Sequence, residues 1–297
     1  MIWTKINWLK LSLLGLVLAL SACSSGSNHD VSTTPLKVGY WPHTETARSP
    51  LPQLKVATLN LAHGRKHALN QLLVRGNTSK KNLLDIAAYL REQDIDIVAL
   101  QEADASSAWS GGFDHVAFLA QHAGYSWYAH SIHSSSKLAN YGTAILSKYP
   151  ISEALAVNFA PSPPTTSKGF THARIKLNSQ QSLDVVSVHL DFSRASIRQQ
   201  QLEQLNAQLQ DTASSTIIMG DFNSEGQLHK PDEVNRFLEQ SPYRAFELGS
   251  KDLASYKNKR LDWIFLSKDL RFVNYQVGPD SLSDHRPVIS LIQVPAK

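Results

Sequence analysis

Several apolar runs in this sequence end in a polar side chain that a hydrophobic core does not require. In chain order these are Asn60 (TLN), Glu102 (ALQE), His189 (VSVHLD), Asp221 and Asn223 (IIMGDFN), Asp262 (RLDWIF) and the pair Asp284-His285 (SDHRP). Carboxylates and carboxamides are oxygen ligands for a hard divalent cation, and Mg2+ commonly binds through one or two carboxylates plus water and phosphate. Histidines beside such a set supply proton transfer or a charged hydrogen bond to a phosphate oxygen. An Asp or Asn after a strand ordinarily caps a turn. Recurrence at so many strand ends points instead to one shared rim. That rim suits phosphoester hydrolysis: a cation neutralises a non-bridging oxygen and the leaving oxygen while an aimed water attacks from the opposite side.

The elements that must carry these residues alternate between strand and helix. Residues 54–60 and 95–100 read as apolar strands, and 82–91 has helical spacing at Leu83, Ile86, Ala87 and Leu90. Residues 113–123 read as a second helix, and short strands are expected at 126–130, 143–147, 154–159, 173–177 and 183–190. A polar helix at 194–210 precedes a buried strand at 215–219, and later strands fall at 261–267, 272–277 and 287–292. The stretch 161–169 (PSPPTTSKG) reads as a surface-rim loop. No internal repeat of about 20–50 residues is visible. Many strands with few helices predict one α/β domain built as a two-sheet sandwich with helices outside.

Composition mostly excludes. With 42% hydrophobic and 18% charged residues, the 297-residue chain is neither collagen-like nor wholly disordered. Lys and Arg number 29 against 25 Asp and Glu, and two of those lysines, Lys5 and Lys10, precede Cys23 where there are no acids. The remainder is nearly balanced, which makes no electrostatic case for a dedicated nucleic-acid binder. Cys23 is the only cysteine, so an intrachain disulfide framework and a Cys-based zinc cluster are both excluded. Ahead of it, the two lysines lead into an apolar run at 11–20, too short to span a bilayer comfortably, followed by Leu20-Ser21-Ala22-Cys23. Residues 1–22 resemble a bacterial lipoprotein signal, with Cys23 as the lipidated first residue of the mature chain. Ser24 in place of Asp after that cysteine implies sorting to the outer membrane of a Gram-negative bacterium. Residues 23–53, rich in Ser, Thr, Pro and His without periodicity, read as a flexible spacer, and 54–297 as the catalytic domain.

The order ALQE, GDFN, SDHRP, supported by VHLD and RLDWIF, resembles the endonuclease/exonuclease/phosphatase superfamily with its DNase I-like fold. The resemblance runs over most of 54–292 and implies a four-layer α/β/β/α sandwich of two packed mixed sheets flanked by helices. Residue by residue, it implies Glu102 as the principal Mg2+ ligand (Mn2+ a possible substitute), with Asn60 and Asp284 contributing on that side. It implies Asp221 as the group that orients and deprotonates water, Asn223 as a hydrogen-bonding partner of phosphate or nucleophile, and His189 as a donor to a phosphoryl oxygen. His285, oriented by Asp262, would be the second imidazole. One departure is Ala62, where some nuclease members carry an acid; this favours a single metal. His63 and His67 have i,i+4 spacing but no third ligand nearby, and read as a polar face rather than a zinc pair, as do His130 and His133. Asp191, Arg198 and Gln201 match an HLD-x6-R-x2-Q pattern of some members, or simply form a capped, solvated helix.

Substrate must be argued from the rim. Candidate contacts are Trp109, Phe113, Tyr141, Lys168 and Arg174. A phosphodiester, nucleic acid or phospholipid, is the expected substrate of a monomeric, membrane-anchored hydrolase. The alternatives are a phosphomonoesterase acting on an inositol phosphate or a non-catalytic lipid-anchored binding module.

Overall fold

The computed structural model describes residues 31–43, 52–68, 71, 74–210, 212, 214–227 and 229–295. Residues 1–22 and Cys23, where the lipoprotein signal is expected, lie outside them.

In chain order the elements are β1 (Ser32–Pro35), β2 (Gly39–Tyr40), β3 (Gln53–Asn60), α1 (Gly76–Glu92), β4 (Ile97–Asp104), α2 (His115–Ala123), β5 (Trp127–Ser135), β6 (Asn140–Ser147), β7 (Ile151–Asn158), β8 (Gly169–Lys176), β9 (Ser182–His189), α3 (Ala195–Leu209), β10 (Thr216–Asp221), α4 (Glu233–Gln240), β11 (Tyr243–Ala245), β12 (Asp262–Ser267), β13 (Arg271–Val277) and β14 (Val288–Gln293). They form two seven-stranded sheets, β1-β7-β8-β9-β10-β12-β11 and β13-β14-β3-β4-β6-β5-β2. Each sheet has one parallel pair at its centre, β9 with β10 and β3 with β4. The helices α3 and α1 make these two crossovers.

Three apolar clusters define the layers. Ile97, Ile145, Ile175, Val185, Met219 and Ile264 fill the space between the sheets. Leu83, Ile86 and Leu90 of α1, with Val116 and Leu119 of α2, pack on Val98, Leu100 and Leu146. Leu202 and Leu205 of α3, with Val234 and Phe237 of α4, pack on Val186, Ile218 and Phe265. The result is the expected four-layer sandwich. Asp114 caps α2 by accepting the Ala117 amide at 2.8 Å, and Gly124 ends it in the left-handed region at φ 82.

At one end of the sheet–sheet interface the packing turns polar. Thr58 donates to Gln101 Oε1 at 3.2 Å, Gln101 donates to Ser187 Oγ at 3.1 Å, and Ser187 donates to the Leu100 carbonyl at 2.9 Å. Beside them Thr143, Thr171 and Ser131 are hydrogen-bonded to one another, and His133 is held by Asn158 Oδ1 at 2.6 Å and Thr143 Oγ1 at 2.8 Å. Burying so many polar groups is tolerable only because each finds a partner, and the reward is a rigid register under the strand ends above.

Two expectations are corrected. Residues 23–53 are not a spacer throughout: β1 pairs antiparallel with β7 and β2 with β5, so each extends the edge of a sheet. Exposed edge strands need no apolar alternation and tolerate Pro35, which is why their sequence reads as a linker. The short α4 and β11 also escape the periodicity reading. Among the described residues no helix is long and apolar enough to cross a membrane.

His133 gives the fold a pH signature. Burial presses its imidazole down to about 4 although Asn158 supports the protonated form. The unfolded chain therefore binds more protons between that value and the ordinary 6.5, and stability is lost as pH falls through this window. The loss is on the order of 3 kcal/mol. Urea unfolding from about pH 7 to about pH 4 should show a steeper decline for the native protein than for His133→Gln. Parallel curves would show that His133 is not buried as a neutral ring.

Candidate active site

The polar ends of β3, β4, β9 and β10 converge on one cleft of about 1280 Å³, lined by Asn60, Glu102, His189, Asp221, Asn223, Asp284 and His285 among others. The register explains the convergence, because Asp221 pairs across the sheet with both His189 and Asp262. Gly220 precedes it at φ 155, and a Cβ there would lie 2.0 Å from the Val188 carbonyl oxygen. Only glycine lets β10 approach β9 this closely at the site.

Asp221 is held from every side. Asn60 Nδ2 donates to its Oδ2 at 3.1 Å, and the Asn223 amide donates to its Oδ1 at 3.0 Å. His189 Nε2 stands 3.6 Å and His285 Nε2 3.9 Å from Oδ2. His285 Nδ1 donates to Asp262 Oδ2 at 2.7 Å, and Ser255 Oγ accepts the Asp262 amide at 3.0 Å. A buried carboxylate thus orients an imidazole whose other nitrogen faces Asp221.

Across the cleft, Glu102 is the extra residue of a bulge in β4, where Gln101 pairs with Thr143 and Ala103 with Gly142. Its backbone is left-handed at φ 46. A bulge re-aims one side chain out of strand alternation, here into the cleft. The nearest basic groups to Glu102 Oε2 are His63 Nε2 at 3.4 Å and Arg65 Nη1 at 3.9 Å. Arg65 Nη2 also pairs with Asp284 Oδ2 at 2.8 Å. Lys168 reaches in from the 161–168 loop, its Nζ 3.4 Å from His189 Nε2.

These charges tune one another. Burial, and after it the Asp262 carboxylate, push the Asp221 carboxyl up to about 7, against the pull of His285. Burial lowers the His285 imidazole, yet Asp262 and Asp221 outweigh it and hold the group up at about 10. Burial, Lys168 and His285 press His189 well below its ordinary value, so it is neutral. Burial opposes ionisation of Glu102, but His63, Lys168 and Arg65 overcome it and hold the carboxyl below its usual range. One neutral and one cationic imidazole therefore flank Asp221.

The family model for the endonuclease/exonuclease/phosphatase family matches residues 57–285. The chain belongs to this family. It is 27% identical over 233 residues to a sphingomyelinase C of Bacillus cereus, an alignment spanning 71% of this chain and 67% of that protein. Among solved structures, a family protein from Leptotrichia buccalis superposes with a TM-score of 0.63 at 17% identity, covering 80% of this chain and 99% of that one. The mannosyl-6-phosphatase of Bacteroides thetaiotaomicron gives 0.58 at 17% identity, covering 80% and 99%. These structural likenesses establish the fold.

The family is generally dependent on a divalent metal, and this donor set fits one. The Glu102 carboxylate is ionised and, among the described residues, accepts no hydrogen bond, leaving oxygen lone pairs open to a hard cation. Atoms of Asp221, Asp262 and His285 also lie within 4.8 Å of one another, but the Asp262–His285 hydrogen bond already occupies part of that trio. The Asn60 carboxamide bridges: its oxygen accepts the Ala62 amide at 3.0 Å while its nitrogen holds Asp221.

The rim departs from expectation in three places. Arg174 is not part of the cleft. It lies five positions along β8 from Gly169, which faces His189, and its Nε donates to Asp184 Oδ1 at 3.0 Å. Trp109 does not line the cleft but packs behind it, edge-on to His63 with ring centres 5.7 Å apart. Phe113 packs against His115 and Phe118. Tyr141 and Lys168 do line the cleft. His63, read as a polar face, lines it too, whereas His67 contacts the Asp280 carbonyl at 2.6 Å. The turn that carries His63 has no periodicity to betray it. Asp191 and Gln201 take the structural role: Asp191 accepts the Ser193 and Arg194 amides at 2.8 Å each, and Gln201 accepts the Asp191 amide.

In the metal-free protein, the Asp221–His285 pair should take up a proton as pH falls through about 7. Carboxyl-carbon NMR of aspartate-labelled protein should show this titration, and Asp221→Asn should remove it. Titration of every aspartate below about pH 5 would refute the electrostatic picture.

Proposed function

We propose that the chain is a divalent-metal-dependent phosphodiesterase that cleaves a nucleic-acid or phospholipid-type diester by attack of an activated water. One observation carries the reading. Asp221, raised toward neutrality and fixed by Asn60 and Asn223, faces a cleft whose other wall holds the ionised, hydrogen-bond-free Glu102.

Glu102, with Asp284 beside it, would hold the cation, which when bound neutralises phosphoryl charge and the developing charge on the leaving oxygen. Asp221 accepts the proton of the attacking water, a task for which a pKa near the working pH is well matched. Asn223, at φ 50, is turned into the cleft and positions water or phosphate. Neutral His189 donates a hydrogen bond to a phosphoryl oxygen, and Lys168 beside it adds fixed positive charge. Cationic His285, oriented by Asp262, stabilises the charge that builds as the bond breaks. The sequence likeness to sphingomyelinase C and the exposed Phe192 on the cleft wall support a diester with an apolar or aromatic group next to the phosphate.

The N-terminal segment extends this proposal to location: lipid attachment at Cys23 tethers the enzyme to the outer membrane. Each acyl methylene contributes ~0.8 kcal/mol of membrane affinity. Mass spectrometry of the mature N-terminus should show an acylated cysteine, and Cys23→Ser should release the protein from the membrane fraction. An unmodified Cys23 would end this part of the proposal.

Purified protein should hydrolyse at least one of DNA, RNA, sphingomyelin or bis(p-nitrophenyl) phosphate with Mg2+ or Mn2+, and EDTA should abolish the activity. His285→Ala should lower turnover ~10²–10⁴-fold without unfolding the chain. Inert diesters with phosphate released from monoesters would replace this reading by a phosphomonoesterase.

A further inference from the structure

The turn after β3 and the bulge in β4 bring His63 to Glu102 in an arrangement that the roles above leave unused. His63 Nε2 faces Glu102 Oε2 at 3.4 Å, and its other ring nitrogen, Nδ1, lies 2.9 Å from Asp104 Oδ1. Asp104 is fully buried at the end of β4. A carboxylate can only accept, so Nδ1 donates to it, and Nε2, the nitrogen that faces Glu102, is the one that gives up its proton when a cation takes that place. Behind Asp104 stands a further buried histidine. His115 Nδ1 is 3.6 Å from Asp104 Oδ2, and its Nε2 is 3.0 Å from the Ser110 carbonyl oxygen. Tyr141 and Trp109 pin the His63 ring from the sides, each edge-on, with ring centres 4.8 and 5.7 Å away. Both His63 and Glu102 sit in left-handed backbone, at φ 55 and φ 46. Such conformations cost about 1–3 kcal/mol each and persist where the surroundings over-determine them.

An imidazole whose Nδ1–H is fixed by a carboxylate and whose Nε2 points into a polar site is the usual construction of a metal-binding histidine. Two ligands about 2.1 Å from a tetrahedral ion stand about 3.4 Å apart, the separation seen between Nε2 and Oε2. Arg65, which pairs with Asp284, leaves Glu102 and His63 as the donor pair without a hydrogen bond between them.

We propose that His63 Nε2 binds the divalent cation together with Glu102, with Asp104 as the positioning residue for the imidazole. The site is then a mixed nitrogen–oxygen one that favours Mn2+ or Zn2+ over the all-oxygen preference of Mg2+. This rests on the metal-dependent reading above.

Mn2+ binding to the full-length, detergent-solubilised protein tests it by electron paramagnetic resonance titration. His63→Asn should weaken Mn2+ at least ~10-fold and Asp104→Asn ~10–100-fold, with unchanged circular dichroism. Pulsed spectra of the Mn2+-loaded protein should show imidazole nitrogen coupling that persists in His189→Asn and disappears in His63→Asn. Unchanged affinity in folded His63→Asn, or coupling that survives it, overturns the proposal. Glu102→Gln separates the two levels. Mn2+ binding that survives Glu102→Gln defeats the reading that Glu102 holds the cation, whereas loss there with none in His63→Asn defeats only the role of His63.

Discussion

One hydrogen bond, from Asn60 Nδ2 in one sheet to Asp221 Oδ2 in the other, closes the sandwich where the cleft opens. Residues 161 positions apart are joined there, and both are nearly inaccessible to solvent. A hydrogen bond to a buried charged group contributes about 1.5–3 kcal/mol, and its loss would leave Oδ2 of Asp221 to the two imidazoles alone. The fold therefore cannot let the sheets slide without paying in desolvation at the point where the chemistry is proposed. Ser283 reinforces the joint by donating to the Asn60 carbonyl at 2.7 Å, which locks the segment carrying Asp284 and His285 onto the end of β3.

Around that joint the charges are arranged so that no carboxylate is left alone and no two neighbours play the same part. Asp262 is spent on His285 and Asp284 on Arg65, while Asp221 and Glu102 face the open volume. Their environments push them apart. Burial dominates at Asp221 and raises it, whereas the cations around Glu102 overcome burial and keep it ionised. Two carboxyl groups in one cleft thereby acquire different protonation behaviour from position alone, the general means by which a site assigns acid, base and ligand roles.

What the sequence discloses and what it hides follow the same physics. Central strands buried on both faces, such as β3, β4 and β10, leave continuous apolar runs, and their polar last residues stand out against them. Asn60 and Asp221 are legible for that reason, and Glu102 because it interrupts the apolar run of β4. Arg174 misleads because it too lies on a central strand, but at the end remote from the cleft, and strand alternation says nothing about which end matters. His63 hides because it sits in a turn of left-handed residues, Ala62, His63 and Gly64, whose direction only the packed neighbours determine. The edge strands β1 and β2 hide because an edge asks little of its side chains.

The loops divide the labour differently from the strands. The 161–168 segment carries Thr165, Thr166 and Lys168 into the cleft, and it is not free to wander. Thr165 donates to the buried Asp191, and Arg194 donates to the carbonyls of Ser162 and Pro163. Asp191 in turn accepts the Ser193 and Arg194 amides in the turn that leads into α3, the crossover helix between the strands that end in His189 and Asp221. Backbone hydrogen bonds, with that of Thr165, hold its carboxyl down at about 2 in spite of burial, so this clamp stays charged across the working range. The loop is thereby tied to the start of the helix that joins the strands ending in His189 and Asp221. Position of the Lys168 charge is thus inherited from the sandwich, while Phe192 and the outer cleft wall are left to discriminate what lies beyond the phosphate.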